Sequence, residues 1–283
     1  MSPRFKKISM PAMPGSNKIL MVILEDKDPF ALKDLVENVR FFCPGATLAL
    51  YNSGGIKDLG KDLGLLHFPN PRRLQYAKVT PFFFDVFEWM HREQMDFDCF
   101  MNLETDMLFI RKGFEDFLAS TMKKADYLAP KFKHATSTRS KWRPIRSLRP
   151  ELPQWLALLG LDHTNEAFSP GQVFSRNYIQ KLLLHPAYPE IKRLLKENRS
   201  FTLQEVLFPT LTEVLHVKGR SYPEGMGPVI RYRPYQAVSG VKRALSMPEA
   251  FFVHPVRREP DCASRLFIHS LMKKEAGENN SAG

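Results

Sequence analysis

Apolar runs of strand length alternate with amphipathic stretches in the first part of the chain. Residues 19–24 are continuously apolar and are followed at once by Glu25-Asp26, which predicts a strand buried on both faces of a mostly parallel sheet. Between residues 31 and 42, apolar side chains recur at three- and four-residue spacing, which predicts a helix with one apolar face. The chain therefore begins as a strand followed by a helix.

The same alternation continues through the first half of the chain. The predicted elements are strands at 47–51, 98–103 and 127–129 and helices that begin near residues 80 and 113. Strands that alternate with helices favour parallel pairing, because each helix carries the chain back to the same end of the sheet. The sequence thus predicts an α/β half over residues 18–130, of the size of a nucleotide-binding unit.

Beyond residue 130 the pattern changes. Residues 131–150 are rich in Lys and Arg and show no clean period, which predicts a long basic loop. Residues 151–270 are expected to complete the sheet with several helices and with short strands near 172–174, 216–217, 229–232 and 251–253. A flexible leader over 1–17 and a disordered tail over 271–283 are also predicted. The predicted architecture is one α/β domain with a Rossmann-type, mostly parallel sheet and two abutting halves.

Composition narrows the class of protein. The 283 residues are 43% hydrophobic and 25% charged, which suits a packed domain and lies outside the range of disordered proteins. The net charge of +11 favours anionic partners such as phosphorylated metabolites, nucleic acid or acidic lipid headgroups. Three scattered cysteines and the lack of an apolar run of about 18 residues predict a cytoplasmic protein that does not span a membrane. Glycine-rich phosphate loops are also missing, which disfavours a dinucleotide dehydrogenase or a P-loop NTPase.

Two acidic residues follow the predicted strand at 98–103. In open α/β sheets, ligands bind outside the carboxyl ends of the strands. Glu104 and Asp106 stand at such an end, and their spacing places both side chains on the same side of the chain. Together they could hold Mg²⁺ or Mn²⁺ and its attached phosphates. The same triplet is also compatible with an ordinary surface turn.

The surrounding segment, Asn-Leu-Glu-Thr-Asp-Met-Leu-Phe at 102–109, closely resembles the Asp-x-Asp segment of nucleotide-sugar glycosyltransferases of the GT-A fold. The resemblance implies that Asp106 contacts a divalent cation. It also implies that Glu104, which stands where the family usually has Asp, helps to hold the ribose or the metal.

Three later segments resemble the same family in the same order. The segment at 167–176 is similar to the loop that lines the donor and acceptor pocket, which implies acceptor binding by Gly171 and Gln172; a β-turn explains it equally well. The segment at 202–209 is similar to the helix start that carries the catalytic base of inverting members, which implies that role for Glu205. A carboxylate there could instead complement the amino end of its helix.

The last segment, at 250–258, resembles a His-Pro-Val-Lys-type segment, which implies that His254 ligates the metal and that Arg257 pairs with the diphosphate. The resemblance further implies that residues after the first strands hold the nucleotide. These residues are Glu25, Asp26, Asn52 and Lys78.

The resulting hypothesis is a glycosyltransferase of polysaccharide biosynthesis with a nucleoside diphosphate sugar as donor and a glycan or lipid-linked acceptor. A rival hypothesis is a protein that binds nucleic acid or another anionic polymer through Arg139–Arg149, where basic residues surround Trp142. The enzyme-like α/β pattern makes nucleic acid the weaker alternative. The same basic segment could instead hold an anionic glycan or contact an acidic membrane surface.

Overall fold

A seven-stranded sheet organises residues 18–280, the part of the chain that the computed structural model describes. The predicted leader at 1–17 lies outside the described residues. The strands are β1 (Ile19–Glu25), β2 (Thr47–Asn52), β3 (Leu66–His67), β4 (Cys99–Glu104), β5 (Leu108–Phe109), β6 (Tyr127–Ala129), β7 (Lys133–Thr136), β8 (Thr164–Glu166), β9 (Val173–Ser175), β10 (Gly219–Ser221) and β11 (Phe252–Val253). In the central sheet their order is β10-β6-β9-β4-β1-β2-β3.

Helices cover the sheet, and those at 29–42, 80–92 and 114–122 correspond to helices that the sequence predicts. They are α1 (Pro29–Phe42), α2 (Thr80–Arg92), α3 (Phe114–Met122), α4 (Arg143–Leu148), α5 (Leu152–Leu159), α6 (Arg176–Leu184), α7 (Tyr188–Glu197), α8 (Gln204–Val214), α9 (Val238–Leu245) and α10 (Ala263–Asn280). The side chain of Asp28 caps α1 by accepting the N–H of Ala31 at 2.9 Å. Among residues 18–280, no helix combines the length and apolar character that crossing a membrane requires.

The predicted mostly parallel α/β sheet is confirmed. β1 pairs in parallel with β2 and β4, and β9 runs antiparallel between β4 and β6. Because β9 is antiparallel, its amino end lies beside the carboxyl end of β4, where Met101 is paired with Val173. The loop before β9 therefore reaches the same sheet edge as the ends of β1, β2 and β4, which is where ligands bind in this class of fold.

Apolar cores lie on both faces of the sheet and both halves of the chain contribute to them. Ile19, Met21 and Ile23 face one core, whereas Leu20 and Val22 face the other, and all five are fully buried. This is the two-sided burial that the apolar run at 19–24 predicts.

A cluster of aromatic rings dominates one core, and Phe174 is at its centre. Its ring centroid lies 5.1 to 5.8 Å from those of six other aromatic residues, Phe83, Phe87, Phe100, Tyr127, Tyr178 and Phe208. We expect Phe174→Ala to lower the free energy of unfolding by about 3–5 kcal/mol, because it leaves a cavity in a closely packed region. Urea denaturation measures the change. Leu184→Ala, at a side chain that is 75% exposed, is the control and should change stability by less than about 0.5 kcal/mol.

Four stretches differ from the predicted elements. The predicted loop at 131–150 contains β7 and α4, because β7 pairs with β8 and the apolar side of α4, Ile145 and Leu148, is buried. The predicted strand at 216–217 instead follows the end of α8, where His216 has φ +48°, and pairing begins at Gly219. At 229–232 only Ile230 forms a bridge, with His254. Helix α10 continues through Asn280, where a disordered tail is predicted from residue 271.

Candidate active site

A cavity of about 650 Å³ opens at the carboxyl ends of β1 and β4. Four residues whose convergence is central to the predicted chemistry all line it, although they come from distant parts of the sequence. Glu104 ends β4, Asp106 follows it, Glu205 lies in the first turn of α8, and His254 follows β11. Asp26 and Glu25, predicted to bind the nucleotide, line the same cavity.

A small antiparallel sheet brings His254 to Asp106. β11 pairs with β5 so that Val253 is opposite Leu108, and the N–H of Val256 donates to the carbonyl of Asp106 at 2.8 Å. β5 is itself held to α1, because the side chain of Asn38 donates to and accepts from the backbone of Phe109. The histidine and the acidic triplet are thus fixed relative to each other by backbone pairing.

The side chains of Glu104, Asp106 and His254 form a compact cluster. Their ligand atoms all lie within 4.8 Å of one another, with Nε2 of His254 3.4 Å from Asp106 Oδ1 and 4.0 Å from Glu104 Oε2. Nδ1 of His254 is 2.9 Å from the carbonyl oxygen of Arg231. A carbonyl oxygen only accepts, so Nδ1 donates to it, and Nε2 is the ring nitrogen that faces the two carboxyl groups.

The two carboxyl groups of the cluster titrate differently. Burial, reinforced by the charge of Asp106, raises the pKa of Glu104. Burial alone would also raise the pKa of Asp106, but the interaction with His254 and the positive charge of Arg258 outweigh it and lower that pKa. Asp106 is therefore the carboxylate that stays ionised most readily.

This donor set fits a divalent cation. Oδ1 of Asp106 is buried and has no hydrogen-bond partner, so a cation there would satisfy an otherwise orphaned oxygen. Two carboxylates and one imidazole suit Mn²⁺, and the carboxylates also suit Mg²⁺. The carbonyl that accepts from Nδ1 of His254 supplies the outer support typical of ligating histidines.

Glu25 lines the cavity and also makes hydrogen bonds that hold the loop after β1. Its Oε1 accepts the N–H groups of Asp26, Lys27 and Asp28 at 2.8 to 3.2 Å, and its Oε2 accepts the Thr105 hydroxyl at 2.5 Å. These bonds occupy both carboxylate oxygens. Glu25 therefore holds the loop after β1 against the acidic triplet, and Asp26 is the acidic side chain of that loop with room for a ligand.

A proline inside α8 ties Glu205 to the loop before β9. Pro209 has no N–H to donate to the carbonyl of Glu205, and that carbonyl accepts the N–H of Ala167 at 2.9 Å instead. The side chain of Glu205 accepts the N–H of Ser169 from the same loop at 3.1 Å. N–H groups of this one loop thus hold both the backbone carbonyl and the carboxylate of Glu205.

The carboxyl group of Glu205 is unusually reluctant to ionise. Glu205 is only 5% exposed, and burial raises the pKa of its carboxyl group to about 8. The negative charge of Glu104 also raises that pKa. The Ser169 N–H and the Thr202 hydroxyl, 3.4 Å away, oppose that shift only in part. A carboxylate of this pKa is a much stronger base than an exposed one.

The basic residue that faces the cluster is Arg258, not the predicted Arg257. Nη2 of Arg258 lies 3.6 Å from Asp106 Oδ2, and the side chain lines the cavity. Arg257 is directed elsewhere, since its guanidinium stacks over Tyr235 and approaches Glu259 at 3.9 Å. Two adjacent arginines project in different directions, and the sequence alone did not distinguish them.

Four other predicted binding residues lie outside the cavity lining. Asn52 binds its own turn through Ile56 and Gly54, and Lys78 is absent from the cavity wall. Gly171 packs against Phe252 and the side chains of two methionines, and Gln172 is fully buried. These placements do not favour the ligand-binding roles that the resemblance implies for them.

The sequence analysis missed Arg265, a fully buried arginine on α10. Its guanidinium pairs with Asp34, donates to the carbonyl of Thr105 at 3.2 Å and donates to the carbonyl of Arg257 at 3.0 Å. It therefore joins the acidic triplet to the segment that carries His254. The available signal was one Arg among the apolar positions of a helix, which is too common to single out.

The architecture of the chain, but not its sequence, is similar to that of known proteins. No protein family and no curated protein matches the chain by sequence. Among solved structures, the chain is similar to WbbM, described as a bifunctional glycosyltransferase in its apo form, with 10% identity and a TM-score of 0.53 over 94% of this chain. The chain has a GT-A fold. It spans about half of WbbM, 51% of that protein's length.

Two further GT-A structures resemble the chain less closely. A mutant of LgtC is 12% identical and covers 90% of this chain and 95% of its own, with a TM-score of 0.49. Core-mannan synthase A from Aspergillus fumigatus, solved in a Mn/GDP form, is 9% identical and covers 75% of this chain and 74% of its own, with a TM-score of 0.44. At these identities the likeness concerns the GT-A fold alone, and activity has to be argued from the cavity.

Proposed function

We propose that the protein is a glycosyltransferase that moves a sugar from a nucleoside diphosphate sugar to an acceptor hydroxyl with inversion, using Glu205 as general base. The observation that carries this proposal is the convergence of Glu104, Asp106, His254 and Glu205 in one cavity at the strand ends. The GT-A fold, which WbbM also has, is compatible with it.

The donor lies at the floor of the cavity in this proposal. Glu104, Asp106 and His254 would hold a divalent cation, which would supply positive charge for the departing diphosphate. Arg258 adds a second positive charge beside Asp106 and can form paired hydrogen bonds with phosphate oxygens. The loop after β1, held by Glu25, presents Asp26 to the nucleoside.

The acceptor lies on the side of Glu205. Inverting transfer requires a carboxylate within hydrogen-bonding reach of the acceptor hydroxyl, on the face opposite the leaving diphosphate. Glu205 accepts that proton as the hydroxyl oxygen attacks the sugar carbon. Its raised pKa suits this role, because a base is most effective when its pKa is close to the working pH.

Donor binding tests this function directly. We expect the melting temperature of the wild-type protein to rise by about 5 °C or more with one nucleoside diphosphate and Mn²⁺ at concentrations well above Kd, since ligands that bind the native state stabilise it. Differential scanning fluorimetry with UDP, GDP, CDP, ADP and dTDP, each with and without Mn²⁺ or Mg²⁺, measures the shift. An unchanged melting temperature with all five nucleoside diphosphates and either cation would contradict the proposal.

A further inference from the structure

Exposed aromatic side chains surround the mouth of the cavity. Tyr76 and Tyr232 are 77% and 49% exposed, and their hydroxyl oxygens are 3.1 Å apart although the residues are distant in sequence. The ring of Phe201 lies edge-on to Tyr76 at 6.3 Å. With Arg143 and Arg233 these residues form what we call the mouth cluster, and all five line the cavity.

The two arginines of the mouth cluster carry positive charge that no described carboxylate neutralises. The guanidinium of Arg143 lies 3.9 Å above the ring of Phe201, and that of Arg233 lies 4.2 Å above Tyr235 and 5.0 Å above Tyr232. Among residues 18–277, whose side chains the structure describes, neither arginine forms an ion pair with Asp or Glu within 4.0 Å. Phe201 contacts Tyr76 and lies under Arg143, while Tyr232 lies under Arg233, so the two arginines flank the tyrosine pair.

The mouth cluster is joined to both parts of the cavity floor. Phe201 and Thr202 lie just before the helix that begins at Gln204 and carries Glu205. The N–H of Thr202 donates to the carbonyl of Ala77 at 2.7 Å, which joins the Tyr76 loop to this segment. On the other side, Tyr232 follows Arg231, whose carbonyl accepts from Nδ1 of His254. In the proposed function the acceptor has to reach Glu205, and the rings of Tyr76 and Phe201 lie on the segments that lead to it.

The mouth of the cavity is positively charged, whereas its floor is mainly acidic. The floor carries Glu104, Asp106 and Glu205, with Arg258 beside Asp106, and the mouth carries Arg143 and Arg233. Tyrosine rings offer flat apolar faces on which the C–H faces of a sugar ring pack, and guanidinium groups bind carboxylate or phosphate oxygens in pairs.

We propose that the mouth cluster is the subsite for an acceptor glycan whose sugar carries a carboxylate or a phosphate, packed on Tyr76 and Tyr232 and paired with Arg143 and Arg233. This inference rests on the proposed glycosyltransferase function and specifies its acceptor class. Single-stranded nucleic acid also combines stacking rings with phosphates. The GT-A fold and the carboxylates of the cavity floor favour a glycan acceptor, and an oligonucleotide is one arm of the test.

A glycan array tests the subsite. The probes are uronate-containing oligosaccharides, phosphorylated oligomannose, neutral oligosaccharides of matched length and linkage, and a ten-nucleotide oligo(U). We expect the wild-type protein to bind at least one anionic class about tenfold more tightly than its neutral counterpart, and Arg143→Gln/Arg233→Gln to lose that preference. The uronate and phosphate arms distinguish the two sources of negative charge.

The matched control removes two other exposed arginines of the basic segment. Arg139 and Arg146 do not line the cavity, so Arg139→Gln/Arg146→Gln lowers the net charge equally and should bind glycans as the wild type does. Binding to neutral glycans alone, to no glycan, to oligo(U) in preference to glycans, or equal losses in both double variants would overturn the subsite.

Donor binding separates failure of this inference from failure of the proposed function. A nucleotide-induced melting shift that persists in Arg143→Gln/Arg233→Gln, together with no preference for anionic glycans in the wild type, would refute the subsite and leave the transferase intact. Anionic glycan binding without any nucleotide response in the wild type would refute the transferase and show a glycan-binding surface of another protein class.

Discussion

Replacing Asp106 with asparagine is expected to abolish the metal-dependent part of nucleotide binding and to lower the transfer rate by about a thousandfold or more. Asn keeps the size of the side chain but removes the negative charge from the centre of the Glu104–His254 cluster. A cation that neutralises the leaving group contributes several kcal/mol to the transition state, and about 1.4 kcal/mol corresponds to each tenfold in rate. The measurements are the Mn²⁺-dependent melting shift and product formation from the donor that the nucleotide screen identifies.

Asp162→Asn is the matched control for this substitution. The side chain of Asp162 is 98% exposed, pairs with His163 and lies outside the cavity lining. It should leave both the melting shift and the transfer rate as in the wild type. If Asp106→Asn keeps a full Mn²⁺-dependent shift and normal turnover, Asp106 does not hold the cation.

Glu205→Gln is expected to lower the transfer rate by about 10²- to 10⁴-fold while leaving the nucleotide-induced melting shift unchanged. The range is that of a positioned general base. Gln retains an oxygen that can accept the N–H of Ser169, so the local backbone should keep its position. Glu213→Gln, farther along the same helix and outside the cavity lining, is the control for transfer. Equal turnover in Glu205→Gln and the wild type would remove Glu205 from the mechanism.

The pH dependence gives Glu205 a second readout. As base it acts when ionised, so the wild-type transfer rate should increase with pH up to about 8, the pKa to which burial raises this carboxyl, and then level off. The residual rate of Glu205→Gln should lack that rise.

The stability of the wild-type protein should respond to pH in the direction opposite to its transfer rate. Between about pH 4.5, the ordinary pKa of Glu, and about pH 8, the folded protein keeps a proton on Glu205 that the unfolded chain has released. This group therefore makes the wild type less stable as pH rises through that window. In the absence of divalent cations, the melting temperature of Glu205→Gln should rise relative to that of the wild type as the pH increases from about 5 to about 9. A constant difference across this range would argue against the raised pKa.

Periodicity in the sequence was sufficient for the longer elements in the first half of the fold. The apolar run at 19–24 and the spacing at 31–42 correspond to β1 and α1, because a strand buried on both faces and a helix buried on one have different and recognisable patterns. The strands β3 and β5 were missed, because each has only two residues and carries no period of its own. The strand predicted at 251–253 corresponds to β11, and β5 forms because it pairs with β11.

Among the site residues, the acidic triplet was visible in the sequence because it follows a clear strand, whereas side-chain direction decided the rest. Arg257 and Arg258 are equivalent by residue type, and only the packing of Tyr235 beside Arg257 directs Arg258 to the cavity. Glu25 and Asp26 are likewise adjacent, yet hydrogen bonds to three N–H groups commit Glu25 to the loop and leave Asp26 at the cavity wall.

The sequence by itself determined the α/β class, the parallel core strands and the chemical types of the candidate residues, since these depend on local patterns of apolar and acidic positions. Only the tertiary structure decided that Glu104, Asp106, Glu205 and His254 share one cavity, and that Arg143 and Arg233 stand at its mouth. The physical reason is that these contacts join segments far apart in the chain. They depend on the antiparallel insertion of β9, on the pairing of β11 with β5 and on the hydrogen bond from Ala167 to the carbonyl of Glu205, which no local pattern encodes.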